Sequence, residues 1–298
     1  MHRMTPLLLC CAAVLAACGT SPSATTASGR LRVVAAESPW GAVAAAVGGD
    51  HVVVTSLLSA PGADPHEYQP TASAAAAVAT ARVVVMNGLG YDPYMSRMLA
   101  QGSAGPQRVV EAATVLGVSG SDVNPHLWYN LARVPAVAAA IARNLIAVDP
   151  GHAADYRAGL SDFVSSLRPD LASLRAIRSA HPHAPVLVTE RVADYLLAEA
   201  GLDIVSPESF ARAVESGQSP SAAATASIDA LVRPSRADAL IVNSQVDTPA
   251  TAAVRDRARS SGVPVVLMTE TVQPPALSFV AWQSRQIAAL ATALGGST

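Results

Sequence analysis

The feature that most constrains the fold is an alternation of short valine-rich runs with longer alanine-rich stretches. Eight runs predict strands, and they cover residues 30–36, 51–58, 82–87, 107–112, 185–189, 203–206, 237–243 and 263–269. Between them, helices are predicted over 40–48, 71–80, 131–147, 191–200, 220–233, 248–261 and 276–295. Continuous apolar runs suit strands that are buried on both faces. The alternation therefore predicts an α/β protein with parallel sheets flanked by helices.

A long helical pattern separates the fourth strand from the fifth. Its apolar residues recur every three or four positions and are Leu160, Val164, Leu167, Leu171, Leu174 and Ile177. Such a helix would be about 40 Å long, and we expect a break near Pro169. We predict two lobes, 30–150 and 181–298, each with a four-stranded parallel sheet, joined by a long connecting helix over 151–180.

The N-terminus carries a targeting signal. Residues 1–17 combine Arg3 with an apolar run that is too short to span a membrane, which is typical of a secretory signal peptide. The small residues before Cys18 resemble the lipobox of bacterial lipoproteins, so we expect Cys18 to be lipidated on the extracytoplasmic face of the cell membrane. An ordinary signal with an incidental cysteine is the alternative. Residues 18–29, which are small and polar, predict a flexible tether.

Composition excludes several classes of function. The 298 residues are 51% hydrophobic and carry a net charge of −2, and every basic residue is an arginine. Without a cluster of arginines and aromatic residues, we expect no binding to nucleic acid. Removal of residues 1–17 would leave Cys18 as the one cysteine, which excludes disulfides and thiolate metal sites.

Four side chains that can coordinate a metal follow predicted strands. They are His66, His126, Glu190 and Glu270. Ligands of open α/β sheets bind beyond the carboxyl ends of the strands, and two imidazoles with two carboxylates suit a first-row metal. Each residue also has a simpler interpretation: a histidine in a turn, a carboxylate favoured near a helix N-terminus, or a solvated carboxylate. We expect the other histidines, His51, His152, His181 and His183, to lie outside the site.

These residues lie in motifs that resemble a known family. The stretches DPHEYQP (64–70), NPHLWYN (124–130), VTERVADYLLAEAGLDI (188–204) and VVLMTETV (265–272) are similar to the ligand segments of the cluster A-I solute-binding lipoproteins of bacterial zinc/manganese ABC importers. The resemblance implies a monomer that carries Zn²⁺ or Mn²⁺ as transported cargo. It also implies an importer permease and its ATPase as partners, and His66, His126, Glu190 and Glu270 as metal ligands.

The sequence departs from the family pattern at three places. Asn124 and Glu270 stand where aspartate is common, and residues 113–125 lack the long histidine-rich loop of many zinc-type members. The missing loop and Glu190 favour manganese or iron(II). Zinc also forms stable sites with histidine and carboxylate, so the metal stays open.

Two other functions are compatible with the same residues. A metallohydrolase would need an open coordination position and a general base, and the sequence has neither HExxH nor GxSxG. We therefore do not expect an enzyme. A surface adhesin-like lipoprotein is the second alternative.

Overall fold

The computed structural model describes residues 29–62 and 67–295. The predicted signal peptide, Cys18 and nearly all of the tether lie outside the described residues. His66 also lies outside them, because residues 63–66 are not described. The other three predicted metal ligands are described.

Two separate four-stranded sheets form the centres of two lobes. The strands are β1 (Leu31–Glu37), β2 (Val52–Leu58), β3 (Val83–Met86), β4 (Arg108–Glu111), β5 (Pro185–Val188), β6 (Asp203–Ile204), β7 (Ala239–Asn243) and β8 (Val265–Met268). The strand orders are β2-β1-β3-β4 and β6-β5-β7-β8, and all pairs are parallel. The predicted fold class is confirmed.

Helices cover the sheets and connect the strands. They are α1 (Ser38–Gly48), α2 (Ala72–Thr80), α3 (Pro93–Ala100), α4 (Ala112–Leu116), α5 (Val134–Val148), α6 (Ala153–Ser166), α7 (Arg168–Ala180), α8 (Asp194–Glu199), α9 (Glu208–Glu215), α10 (Ala222–Leu231), α11 (Pro249–Ser260) and α12 (Phe279–Ala293). Four helices have an N-cap residue whose side chain accepts a hydrogen bond from the backbone N–H three residues later. These residues are Thr71, Ser221, Thr248 and Ser278. No helix in the described part of the chain is both long and apolar enough to cross a membrane.

The inner strands of the two sheets, β1, β3, β5 and β7, are buried on both faces because each sheet packs against two layers. In β1, Val33 and Ala35 join the largest buried cluster, which includes residues of both lobes, whereas Val34 and Ala36 pack with α2 and α3. The side chains of β7 in the second sheet alternate in the same way. Ala239 and Ile241 join the shared cluster, whereas Leu240 and Val242 pack against α9, α10 and α11. This burial on both faces of the sheet explains the valine-rich runs in the sequence.

The predicted connecting helix is present as two helices. The chain leaves α6 at Ser166 and begins α7 at Arg168, with Pro169 in the first turn of α7. Proline fits this position because its missing N–H has no partner within the helix there. The break therefore lies just before Pro169. The residue boundaries assigned to the lobes remain predictions.

Candidate metal centre

The carboxyl ends of three neighbouring strands bring polar side chains together between the lobes. Glu190 follows β5, Asn243 is the last residue of β7, and Glu270 follows β8. Because β5, β7 and β8 are adjacent and parallel, these side chains emerge at one edge of the second sheet. His126 faces them from the first lobe, just before a 3₁₀ turn at Leu127–Tyr129.

His126 and Glu270 contact each other across the two lobes. The imidazole Nε2 lies 3.0 Å from Oε2 of Glu270, and both residues are fully buried. The Tyr91 hydroxyl donates to the same carboxylate oxygen at 2.5 Å. Burial raises the pKa of Tyr91 well above its usual range, and the nearby carboxylate of Glu270 raises it further. The phenol therefore stays protonated. As a hydrogen-bond donor, it orients the carboxylate of Glu270.

Asn243 links the two carboxylates of the second lobe. Its Nδ2 lies 2.7 Å from Oε1 of Glu270 and 3.3 Å from Oε2 of Glu190. Its Oδ1 accepts the backbone N–H of Gln245 at 3.0 Å, which identifies Nδ2 as the donating end. Neither Asn243 nor Tyr91 was predicted from the sequence as a site residue. The signal for Asn243 was a polar residue at the end of a strand, between the strands that carry Glu190 and Glu270.

The protonation of His126 follows from its other nitrogen. Oδ1 of Asn124 accepts the backbone N–H of His126 at 3.0 Å and lies 2.8 Å from Nδ1 of the same residue. A backbone N–H can only donate, so this atom of Asn124 is an acceptor and Nδ1 carries a hydrogen. In the neutral imidazole, Nε2 then presents a lone pair to Glu270.

This arrangement fits a shared cation. A lone pair on Nε2 and a carboxylate oxygen repel each other at 3.0 Å unless a proton or a metal ion lies between or beside them. With bonds of about 2.1 Å to one ion, a right angle separates the two atoms by about 3.0 Å and a tetrahedral angle by about 3.4 Å. The observed separation of 3.0 Å matches two adjacent ligands of one metal ion.

Aromatic rings enclose the imidazole. The rings of Tyr91 and Trp128 each lie edge-on to His126 with centroids 5.6 Å away. Trp128 is fully buried, so its ring packs in the interior. These rings exclude water from the imidazole, so charge interactions there are stronger than in solvent.

Acidic side chains dominate the surroundings on the second lobe. Oε1 of Glu215, at the end of α9, lies 4.0 Å from Nδ1 of His126. Burial raises the pKa of Asp194 to about 6, although Arg191 and His126 act in the opposite direction. A cavity of about 400 Å³ between the lobes is lined by Tyr91, Pro125 and Glu215 among others. Its charged lining residues are the carboxylate of Glu215 and the guanidinium of Arg97.

The remaining histidines lie outside this cluster. His51, His152 and His183 contact Asp155, Asp149 and Asp203, respectively, and His181 lies at the end of α7. Within residues 29–62 and 67–295, no three histidine, cysteine, aspartate or glutamate side chains are grouped closely enough to hold an ion by themselves. His66, the fourth predicted ligand, falls between these ranges.

Comparison with known proteins identifies the family. The family model described as "Zinc-uptake complex component A periplasmic" (ZnuA) matches residues 33–293. The chain belongs to this family. The family membership expected from the sequence motifs is therefore confirmed.

Individual relatives are more distant. The manganese-binding lipoprotein MntA of Halalkalibacterium halodurans is 29% identical over 167 residues, or 54% of this chain. The metal ABC transporter substrate-binding lipoprotein SsaB of Streptococcus sanguinis is 27% identical over 173 residues, also 54% of this chain. The chain spans 55% and 56% of these two relatives' own lengths, about half of each.

Solved structures share the fold over more of the chain. The SBP FpvC of Pseudomonas aeruginosa in complex with Mn²⁺ has a TM-score of 0.73 and 23% identity, covering 89% of this chain and 98% of that protein. A crystal structure of ZnuA has a TM-score of 0.69 and 23% identity, covering 89% and 97%. At this level of identity the likeness establishes the two-lobed fold of the ZnuA family.

Proposed function

We propose that this protein captures a divalent transition metal, Mn²⁺, Zn²⁺ or Fe²⁺, between its lobes and delivers it to the permease and ATPase of an ABC importer. The observation that carries the proposal is the buried contact of 3.0 Å between Nε2 of His126 and Oε2 of Glu270. These two atoms come from different lobes, and one metal ion can bind both of them at this separation. The names of the relatives MntA and SsaB support a metal as cargo.

We assign the roles of His126, Glu190 and Glu270 from their contacts, and those of His66 and Cys18 from their sequence motifs. His126 and Glu270 bind the ion from opposite lobes, and Glu190 adds a second carboxylate beside Asn243. His66 completes the set from the first lobe. Two imidazoles and two carboxylates are donors that Mn²⁺, Fe²⁺ and Zn²⁺ all accept. Outside the lobes, Cys18 carries the lipid that holds the protein at the extracytoplasmic membrane face.

The test is an equilibrium competition titration on the soluble chain from residue 19 onward. Mn²⁺ and Zn²⁺ are titrated against a chromophoric chelator with the wild type and with His66→Ala, His126→Ala, Glu190→Gln and Glu270→Gln. Loss of one ligand removes a charge-assisted contact, so each variant should bind more than about tenfold more weakly. His183→Asn is the matched control, because it removes an exposed imidazole and asparagine tolerates the positive φ of 59° at this position.

The control and the outcomes separate the alternatives. His183→Asn should leave the affinity unchanged. A wild type that binds neither metal would overturn the proposal. Wild-type affinity in both His126→Ala and Glu270→Gln would place the ion elsewhere and would equally overturn it.

A further inference from the structure

Asn124 holds the imidazole of His126 and contacts the second lobe with the same amide group. Its Oδ1 accepts from the backbone N–H and faces Nδ1 of His126, whereas its Nδ2 donates to the backbone carbonyl of Arg191 at 2.5 Å. A backbone N–H only donates and a carbonyl only accepts. These two obligate partners fix the orientation of the amide independently, and Asn124 is only 5% exposed.

The backbone of Asn124 makes a second contact with the same lobe. Its carbonyl oxygen accepts a hydrogen bond from the Tyr195 hydroxyl at 2.8 Å. Tyr195 lies in α8, and Arg191 lies in the loop between β5 and α8. Asn124 itself precedes α5 in the first lobe. Separation of the lobes at this point must therefore break both hydrogen bonds.

An aspartate at position 124 could make only half of these contacts. A carboxylate would accept hydrogen bonds from the backbone N–H and from Nδ1 of His126, but it cannot donate to the carbonyl of Arg191. It would instead place an oxygen against that carbonyl oxygen. It would also add a charge beside Glu215, whose Oε1 already lies 4.0 Å from Nδ1 of His126. Both effects would destabilise the contact between the lobes.

We propose that Asn124 is a positioning residue that couples the orientation of the His126 imidazole to closure of the two lobes. The inference rests on the proposed function, because the coupling acts on a bound metal. While the lobes are together, the amide is held at both ends and keeps the hydrogen on Nδ1, which leaves Nε2 for the ion. When the lobes separate, Asn124 loses both partners in the second lobe and keeps only the backbone N–H of His126, so the acceptor of the imidazole is held at one end instead of two. Opening of the lobes and weakening of His126 as a metal ligand therefore occur in one step.

The test measures metal dissociation after mixing metal-loaded protein with excess chelator in a stopped-flow instrument. Asn124→Asp keeps the acceptor for His126 and removes the donor to Arg191. Tyr195→Phe removes the other bond between the lobes without touching the imidazole. A lost buried hydrogen bond corresponds to a change of about tenfold, so we expect Asn124→Asp to release the metal about tenfold faster. Tyr195→Phe should release it severalfold faster. Both substitutions weaken the same contact between the lobes at Asn124. The dissociation rate of the double variant should therefore increase by less than the product of the two single increases.

Two further readouts distinguish positioning from general loss of structure. Asn144→Ala is the matched control, since the Asn144 side chain donates to Ala140 within its own helix, and its dissociation rate should equal that of the wild type. Long-range ¹H–¹⁵N spectra of His126 should show the hydrogen on Nδ1 in the wild type and in Asn124→Asp. Asn124→Ala should lose this preference.

Each outcome bears on a different claim. Wild-type dissociation rates in both Asn124→Asp and Tyr195→Phe would overturn the coupling, while the proposed function would stand on the metal affinity of the wild type. If Asn124→Asp fails to fold, Tyr195→Phe decides, and an unchanged rate in that variant would overturn the coupling. A wild type that binds no divalent metal would overturn the proposed function together with this inference.

Discussion

Glu37 and Asp92 place two carboxyl groups side by side within the first lobe. Glu37, the last residue of β1, is fully buried, and its carboxyl group interacts with that of Asp92. Asp92 accepts the backbone N–H groups of Asn87 and Gly88 at 2.6 and 3.0 Å. These donors favour the charge on Asp92 and leave the proton on Glu37.

This pair predicts a stability that depends on pH. Burial raises the pKa of Glu37 well above its usual range, and the charge on Asp92 raises it further. A carboxyl whose pKa is raised in the folded state binds more protons there than in the unfolded state, so its contribution to stability falls as the pH rises above the ordinary value of about 4.3. Glu37→Gln removes this titration. We expect the stability of Glu37→Gln relative to wild type to increase steadily with pH.

Urea unfolding of the metal-free protein between about pH 5 and pH 9 measures this difference. Glu208→Gln on the exposed face of α9 is the control, and its curve should run parallel to that of the wild type. Parallel curves for Glu37→Gln and wild type would show that Glu37 does not hold a proton in the folded state.

The imidazole and carboxylates that meet at the candidate site were easier to predict from the sequence than the residues that orient them. His126, Glu190 and Glu270 were identified because imidazoles and carboxylates at strand ends are chemically conspicuous. Asn243 and Tyr91 act through hydrogen bonds to Glu270, and these partners are distant along the chain. Such contacts depend on how the two lobes pack, which no local pattern encodes.

At the scale of helices and strands, Gly159 sets the distance between α6 and α1. A Cβ at this position would lie 2.5 Å from the backbone oxygen of Val47. The obstacle is backbone, so a side-chain rotation cannot relieve the contact. Close approach of the connecting helix to the first lobe therefore requires glycine here.

Gly159→Ala should destabilise the protein even though alanine is favoured over glycine in a helix by about 1 kcal/mol. Overpacking of this kind costs about 1–3 kcal/mol, and we expect the free energy of unfolding in urea to fall by that amount. Gly105→Ala is the control, because a Cβ there meets no atom within 4 Å, and it should change stability by less than about 0.5 kcal/mol. Equal stability of Gly159→Ala and wild type would contradict this account of the α1–α6 contact.

The strands and the long helices were predictable, whereas three short helices were not. All eight strands follow from apolar runs. In the inner strands β1, β3, β5 and β7, burial on both faces demands such runs, whereas both residues of β6 are exposed. The helices α3, α4 and α9 were not predicted, and they have only 8, 5 and 8 residues. In α9, Phe210, Ala211 and Val214 form the buried face, which is less than two full repeats of a helical pattern. Its contacts with the second sheet define this helix more than its sequence does.

At the scale of the whole molecule, hydrogen bonds join the two lobes around the candidate metal centre. The Tyr129 hydroxyl contacts the backbone oxygen of Thr269 at 2.7 Å, and the backbone N–H of Val272 donates to the Ser38 hydroxyl at 2.9 Å. A metal held by His126 and Glu270 would add a bond across the same boundary. Because binding to the folded state alone stabilises it, the metal should raise the melting temperature of the whole protein.

Anchoring of the molecule gives a separate prediction. Full-length protein recovered from the membrane fraction of a bacterial host should begin at Cys18 and carry acyl chains, because the small residues before Cys18 form the expected cleavage site. Cys18→Ser should release the protein from the membrane or leave the signal uncleaved. Intact-mass and peptide mass spectrometry detect both changes. A membrane-bound wild type that retains residues 1–17 without lipid would contradict the prediction.

Anomalous diffraction from a bound metal shows where the ion lies in the protein. Crystals of the soluble chain loaded with one equivalent of Zn²⁺ are measured on both sides of the zinc absorption edge, so that the anomalous difference map locates zinc alone. We predict one strong peak between the lobes, about 2.0–2.2 Å from Nε2 of His126 and from a carboxylate oxygen of Glu270. A map with no peak there, or with zinc only at surface histidines such as His51 and His152, would contradict the account.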